Sequence, residues 1–300
     1  MSDLLRSLLP WPVEVVRETG RSDRRGTLLT MYDVERSGVW QCVVLKEYRD
    51  DNEEGDGRWA AQVGRRLEAA GMRPPATTTV AQTLGARAGA LVCAHAPGRA
   101  WRQTVGPSVG DEASRAVGRW CAALERTPLG LPAATRRGVV EAAAQLEALE
   151  RSTLTRVGRA RGADLLSALD EPQALVTSHG NLHPENLFVT QDDLPTVTGI
   201  DLDTAAAREP AYDVGYGVAQ LLVRSARRPG IAHGRTAAAA LVAGYEQAGG
   251  VASRRRIAVQ AARGLLQALH YEAVALGHEQ AAAQTLLEPF GALADGQLPT

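Results

Sequence analysis

Strand-like alternation is concentrated before Pro97, and helical spacing dominates after it; this order constrains the fold more than any other feature. Before Pro97, "VEVVRE" (13–18), "TLLTMYDVE" (27–35), "VWQCVVLKEY" (39–48), "TTTVAQTLG" (77–85) and "GALVCAHA" (89–96) are rich in β-branched and apolar residues and read as strands. "RSG" (36–38) is a hairpin turn, and "TGRSDRRG" (19–26) and "DDNEEGDG" (50–57) read as loops. One helix is predicted over 58–71, with Trp59, Val63, Leu67 and Ala70 on a common face, a stop at Gly71 and a firm end at Pro74–Pro75. After the joint "PGRAW" (97–101), Ser108 caps a helix to about Arg126, and helical spacing covers 133–170 with a break near Gly158–Gly162. "ALVTSHG" (174–180) reads as a strand, and "LFVT", "QDDLP" and "TVTGIDLD" (187–203) as a hairpin. From Ala211 the pattern is helical, with breaks near Pro229–Gly230 and Gly249–Gly250. Strands followed by helices argue for an α+β fold: a five-stranded antiparallel N-terminal sheet lobe (1–96) and a larger, mainly helical C-terminal lobe (97–300).

With 300 residues, 45% of them apolar, the chain can bury a full core, and a net charge of −1 gives no electrostatic case for nucleic acid. "SRRRIAV" (253–259) reads as a solvated helix start. The three cysteines, Cys42, Cys93 and Cys121, are far apart in apolar runs, which fits buried free thiols in a reducing cytoplasm. The N-terminus lacks the pattern of a signal peptide, and no apolar run is long enough to span a membrane.

Two residue types are scarce. Of 33 basic residues, one is a lysine, Lys46, and 32 are arginine. A lone compact ammonium in such a background points to a place where a planar guanidinium will not serve. Asparagine occurs only at 52, 181 and 186, and two of these lie in "SHGNLHPENLF" (178–188).

His179-Gly180-Asn181, then Asn186, then Ile200-Asp201, then "REPAYDVG" with Asp213 follow one another in an order that resembles the aminoglycoside phosphotransferase and choline kinase family. That family has a protein-kinase-like fold, and the match spans roughly Val13 to Val218. The resemblance implies phosphoryl transfer from ATP with Mg2+ to a hydroxyl, a chemistry of positioning and charge neutralisation. It implies that Lys46 meets the nucleotide phosphates and that Asn186 and Asp201 ligate the metal, with Asp203 a further metal candidate two residues on. By the same resemblance His179 packs beneath the catalytic loop, Asp213 fixes that loop, and the hinge "LVCAHAPG" takes the adenine on its backbone. The arginines of the 19–26 loop, Arg21, Arg24 and Arg25, are candidates to meet phosphate.

Two positions depart from the family pattern. No glutamate in mid-helix stands ready to pair with Lys46; Glu68 lies late in the helix, and Glu53 and Glu54 lie before it. Asn181 occupies the position of the family's catalytic aspartate, and an amide cannot accept a proton near neutral pH. Two functions follow: a phosphotransferase acting on a small molecule or a peptide Ser or Thr, slow or partner-assisted, or a pseudokinase that binds nucleotide or a protein partner without transfer. From Arg208 onward nine arginines face seven acids, which disfavours a polycationic acceptor and favours a neutral or anionic one.

Overall fold

The computed structural model describes residues 2–24, 26–49, 57–73, 76–87, 89–104, 110–134, 142–147, 164–171, 173–226 and 231–299. In chain order the elements are α1 (Ser2–Leu8), β1 (Val15–Arg24), β2 (Thr27–Arg36), β3 (Val39–Tyr48), α2 (Gly57–Ala69), β4 (Thr78–Val80), β5 (Thr83–Arg87), β6 (Ala90–Ala94) and β7 (Arg99–Ala100). They continue with α3 (Trp101–Thr104), α4 (Gly110–Glu125), β8 (Val176–Ser178), β9 (Leu187–Val189), β10 (Val197–Gly199), a 3-10 turn (Leu202–Thr204) and β11 (Ala206–Arg208). Helices α5 (Tyr212–Ala226), α6 (Ile231–Gln247), α7 (Arg254–His270) and α8 (Glu279–Ala294) complete the chain, with a π turn at Tyr271–Ala275. The fold is α+β, as the order of patterns predicts.

The chain divides into two compact units: Met1–Gly98 with Thr190–Ala205, and Arg99–Val189 with Ala206–Thr300. In the first, an antiparallel five-stranded sheet runs β1-β2-β3-β6-β5. Period-two alternation separates its faces. One face carries Tyr32, Val34, Val43, Leu45 and Val92, packed with Leu5 and Leu9 from the α1 segment. Gly85 lets α1 approach, because a Cβ there would run into the Leu8 carbonyl. The opposite face carries Lys46 in register with Leu29 and Leu91, and Val44 in register with Met31 and Cys93. Helix α2 packs on this face through Ala60 and Ala61 against Tyr48 and Leu91.

Several sequence expectations are corrected here. Most of "TGRSDRRG" is not a loop: β1 continues into it as far as Arg24, shifts register between Glu18 and Gly20, and pairs Ser22 with Leu29 and Arg24 with Thr27. Its polar residues are tolerated because β1 is an edge strand whose exposed side chains face water. The single strand expected over 77–85 is two, and β4 leaves the five-stranded sheet to pair in parallel with β10. Ala70, expected on the buried helix face, is exposed, while Val63 and Leu67 are buried. Arg25, Asn52, Glu53, Glu54, Pro74, Pro75, Ser108 and the breaks near Gly158–Gly162 and Pro229–Gly230 lie outside the described residues.

In the second unit, α4 and α6 cross closely. A Cβ on Gly118 would collide with the Leu241 carbonyl, and one on Gly244 would meet the Arg115 backbone. Glu125, near the end of α4, accepts from the Ala211 N–H at 3.2 Å and from the Tyr245 hydroxyl of α6, and so fixes the start of α5. Ala211 has φ 74, a left-handed conformation that an L side chain adopts only when its surroundings hold it there. Ser253 caps α7 by accepting from the Arg256 N–H at 3.3 Å. The "SRRRIAV" run is thus a helix start whose first residues, Ser253, Arg254 and Arg255, are exposed as expected, but Arg256 is buried and ion-paired with Glu209. Cys121 is buried, while Cys42 and Cys93 are half-buried; all three are free thiols. Among the described residues no helix is long and apolar enough to cross a membrane.

Candidate functional site

Lys46 stands by strand parity on the sheet face that carries α2, two residues before Tyr48. Its ammonium is ion-paired with the carboxylates of both Asp201 and Asp203. The Tyr48 hydroxyl donates to the other Asp203 oxygen at 2.8 Å. Asp203 does not lie on an extended segment, as sequence reading has it. Residues 202–204 form a 3-10 turn, and Asp201 precedes it at φ 64, ψ 57. That left-handed residue turns the chain so that both carboxylates reach one cation. The turn is anchored to α2: Leu202 is buried, and Trp59 Nε1 donates to the Ala205 carbonyl at 3.1 Å.

The electrostatics follow from this count of charges. One ammonium serves two carboxylates, so the group carries a net −1 when all three are ionised, with Lys46 and Asp203 side chains only 14% and 11% exposed. Burial works against the Lys46 ammonium, but the two carboxylates outweigh it and raise its pKa. Burial raises the Asp203 carboxyl in spite of Lys46, and the charge of Asp201 adds to that rise.

In the second unit, the loop after β8 is held by one acid. Asp213 accepts from the His179 N–H at 2.7 Å and the Gly180 N–H at 3.0 Å, one on each oxygen. His179 is fully buried, with its ring edge-on to Trp120 at 6.0 Å. Its Nδ1 accepts from the Asn181 N–H at 3.2 Å, which sets that nitrogen as the unprotonated one. Gly180 has φ 82, so a glycine is needed at this bend. The Asn181 carbonyl receives the His183 N–H at 2.7 Å and the Asn186 side-chain amide at 3.0 Å. Asn186 is thereby held by its NH2 group, and its carbonyl oxygen is the atom with the chemistry to ligate a cation. Asn181 itself is half-buried.

Of the sequence candidates, Lys46, Asp201 and Asp203 come together in the first unit, and His179, Asn181, Asn186 and Asp213 in the second. Glu68 is not a partner of Lys46; its carboxylate accepts from the Thr83 N–H at 2.9 Å and fastens α2 to β5. Tyr48 was not among the sequence candidates, although strand parity puts it on the face of Lys46. The same parity identifies Met31, Val44 and Cys93 as the apolar surface beside the lysine. Arg21 is an exposed residue of β1, and Arg24 ends that strand.

Three solved structures share this fold at low identity. Plasmodium vivax ethanolamine kinase aligns with a TM-score of 0.57 and 11% identity, covering 95% of this chain and 85% of its own. Choline kinase LicA from Streptococcus pneumoniae gives 0.56 and 14%, covering 96% and 97%. The GDP and kanamycin complex of APH(2")-IIia gives 0.55 and 15%, covering 97% and 98%. No curated protein matches significantly by sequence. The model of the phosphotransferase enzyme family matches residues 20–285, and the chain belongs to that family.

Proposed function

We propose that the protein transfers a phosphoryl group from a magnesium-bound nucleoside triphosphate, with ATP the expected donor, to a hydroxyl of a small molecule or a peptide Ser or Thr. The observation that carries this reading is the joint binding of Lys46 by Asp201 and Asp203. A cation suited to phosphate and two acids suited to a hard metal stand together, each neutralising part of the other. The donor set fits magnesium, which takes one or two carboxylates and completes its shell with phosphate oxygens and water. When bound, magnesium supplies charge neutralisation on the phosphates. Asp201 is its assigned ligand in the first unit, with Asp203 a further candidate beside it, and Asn186 keeps the metal-ligand role that the family resemblance implies. Lys46 takes phosphate oxygens, and the face formed by Met31 and Val44 takes the base. The adenosine monophosphate complex of LicA, like the GDP complex of APH(2")-IIia, supports a nucleotide in this role.

Asn181 orients the acceptor hydroxyl through its amide oxygen. The acceptor oxygen bonds to phosphorus, the bond to the leaving nucleoside diphosphate breaks, and the hydroxyl proton passes to water. Without a base, the rate should be about 10²–10⁴-fold below that of an enzyme carrying a carboxylate here. Asn181 also favours a second reading, a pseudokinase that binds nucleotide or a protein partner and transfers nothing.

Thermal unfolding with ATP and Mg2+, compared with Lys46→Ala, tests the nucleotide site. Stabilisation of the parent alone supports it, and no stabilisation of the parent removes both readings that depend on nucleotide. Turnover before and after Asn181→Asp then separates them. Slow transfer by the parent, abolished by Asp201→Ala, establishes the enzyme; a silent parent with an active Asn181→Asp variant establishes a disabled kinase.

A further inference from the structure

A second charged cluster lies in the second unit, around the residues that lead into α5. Glu209 is the partner of Arg256, whose Nε donates to it at 2.6 Å, and it also receives the Gln260 amide. Arg256 further donates to the Ala168 carbonyl and stands 3.9 Å from Glu171. The single carboxylate in the middle of this cluster is therefore already engaged. Arg263, two turns along α7 from Arg256, is 7% exposed. Its Nε donates to Gln260 Oε1 at 2.8 Å, but its Nη2 is buried and has no hydrogen-bond partner among the described residues. The Arg263 guanidinium lies 4.4 Å from the centre of the Tyr212 ring, and that of Arg208 lies 4.5 Å from the same ring. Arg208 and Tyr212 are both half-buried, so the cluster reaches solvent through them.

A buried guanidinium donor without an acceptor is costly, because its N–H has given up water and gained nothing. The ring of Tyr212 receives the face of Arg263, but an N–H in the guanidinium plane needs an acceptor in that plane. Arg208, Arg256 and Arg263 against Glu209 and Glu171 leave one positive charge over. The missing group is therefore an acceptor with negative charge. An oxyanion suits a guanidinium best, by geometry as well as charge. Tyr212 immediately precedes Asp213, whose carboxylate holds the His179–Gly180 amides. An anion at this cluster would bear on the element that fixes the loop of Asn181.

We propose that Arg263, with Arg208 and Tyr212, forms the subsite that takes the anionic group, a carboxylate or a phosphate, of the hydroxyl acceptor. The inference rests on the phosphotransferase reading for the word acceptor, and on the cluster alone for the anion. It makes the acceptor a hydroxy acid or a phosphorylated alcohol and excludes polycations such as kanamycin.

The test is thermal unfolding of the full chain in chloride buffer, titrated with inorganic phosphate, glycerate, glycerol 3-phosphate, choline or kanamycin. Parent, Arg263→Met, Arg208→Gln and Lys46→Ala are compared. The parent and Lys46→Ala should be stabilised by phosphate and by the two anionic alcohols, and not by choline or kanamycin. In Arg263→Met the midpoint concentration should rise about ten-fold or more, while the response to ATP and Mg2+ stays that of the parent. No stabilisation of the parent by any of the three anions overturns the proposal, as does an unchanged anion response in Arg263→Met. Should Arg263→Met fail to fold, Arg208→Gln decides: an anion response equal to the parent's overturns the proposal. A response to phosphate alone overturns the assignment to the acceptor. Loss of the ATP response with the Arg263-dependent response intact strikes the nucleotide reading and leaves the anion site standing.

Discussion

The Asp203 carboxylate is held at both oxygens, by the Lys46 ammonium at one and by the Tyr48 hydroxyl, 2.8 Å away, at the other. No helix glutamate braces Lys46 among the described residues; two acids from the turn after β10 do. Tyr48 is the group that fixes where one of them points. Tyr48→Phe removes only that hydroxyl. It should lower stability by about 1 kcal/mol and weaken the ATP and Mg2+ response several-fold, leaving the phosphate response at Arg263 unchanged. Denaturant unfolding and nucleotide titration of the variant check this, and unchanged nucleotide affinity would show that the hydroxyl does not set Asp203.

Asp213→Ala should destabilise the protein by about 2–4 kcal/mol in urea unfolding. Two backbone donors, at His179 and Gly180, lose the carboxylate they share; the Gly180 N–H still reaches the Ser178 hydroxyl at 3.1 Å, so the larger part of the loss falls at fully buried His179. Asp213→Asn retains one acceptor oxygen and should lose less than half as much. Equal losses in the two variants would refute the view that each oxygen holds one amide.

Gly244→Ala should cost about 1–3 kcal/mol or more, since its Cβ would press on the Arg115 backbone across the α4–α6 contact. Gly277→Ala is a useful contrast. A Cβ there meets nothing, so any loss reflects its φ of 70 alone. A loss in Gly244→Ala no larger than that of Gly277→Ala would remove the close crossing from the account.

Burial raises the Glu125 carboxyl above its ordinary value of 4.5, against the bonds from Tyr245 and Ala211 that favour its ionised form. As pH rises from that ordinary value, the unfolded chain gives up this proton first. The folded protein then binds more protons than the unfolded, and stability falls with rising pH until the folded carboxyl has ionised too. Glu125→Gln removes this dependence while its amide oxygen still accepts one of the two hydrogen bonds. Unfolding free energies measured from about pH 5 to 8 should decline less in the variant than in the parent. Parallel curves would show that Glu125 does not titrate in that range.

The sequence made the fold class legible because periodicity is local. Alternation in 27–35 and 39–48 and the hairpin turn between them need no distant partner to be read, and β2 and β3 do pair across that turn, Arg36 with Val39. The strand over 19–24 is hidden from a local reading because edge-strand pairing tolerates polar side chains that a local pattern assigns to a loop. The split of 77–85 was invisible for a related reason: β4 is a strand only because β10, more than a hundred residues later, lies beside it. The burial of Arg256 is not legible locally, because its partner Glu209 is distant in sequence.

The candidate site divides in the same way. Residue type and order alone singled out Lys46, Asn181, Asn186, Asp201 and Asp213, since charge, amide and carboxylate chemistry belong to the side chains themselves. Which groups meet was decided only by tertiary structure. Lys46 has Asp201 and Asp203 as partners because the left-handed Asp201 and the turn behind it bring two acids to one strand face. Glu68 spends its carboxylate on Thr83. The uncompensated Arg263 donor exists only because burial denies it water while Glu209 is taken by others. Desolvation and distance, which turn a charged residue into a site, are properties of the folded chain.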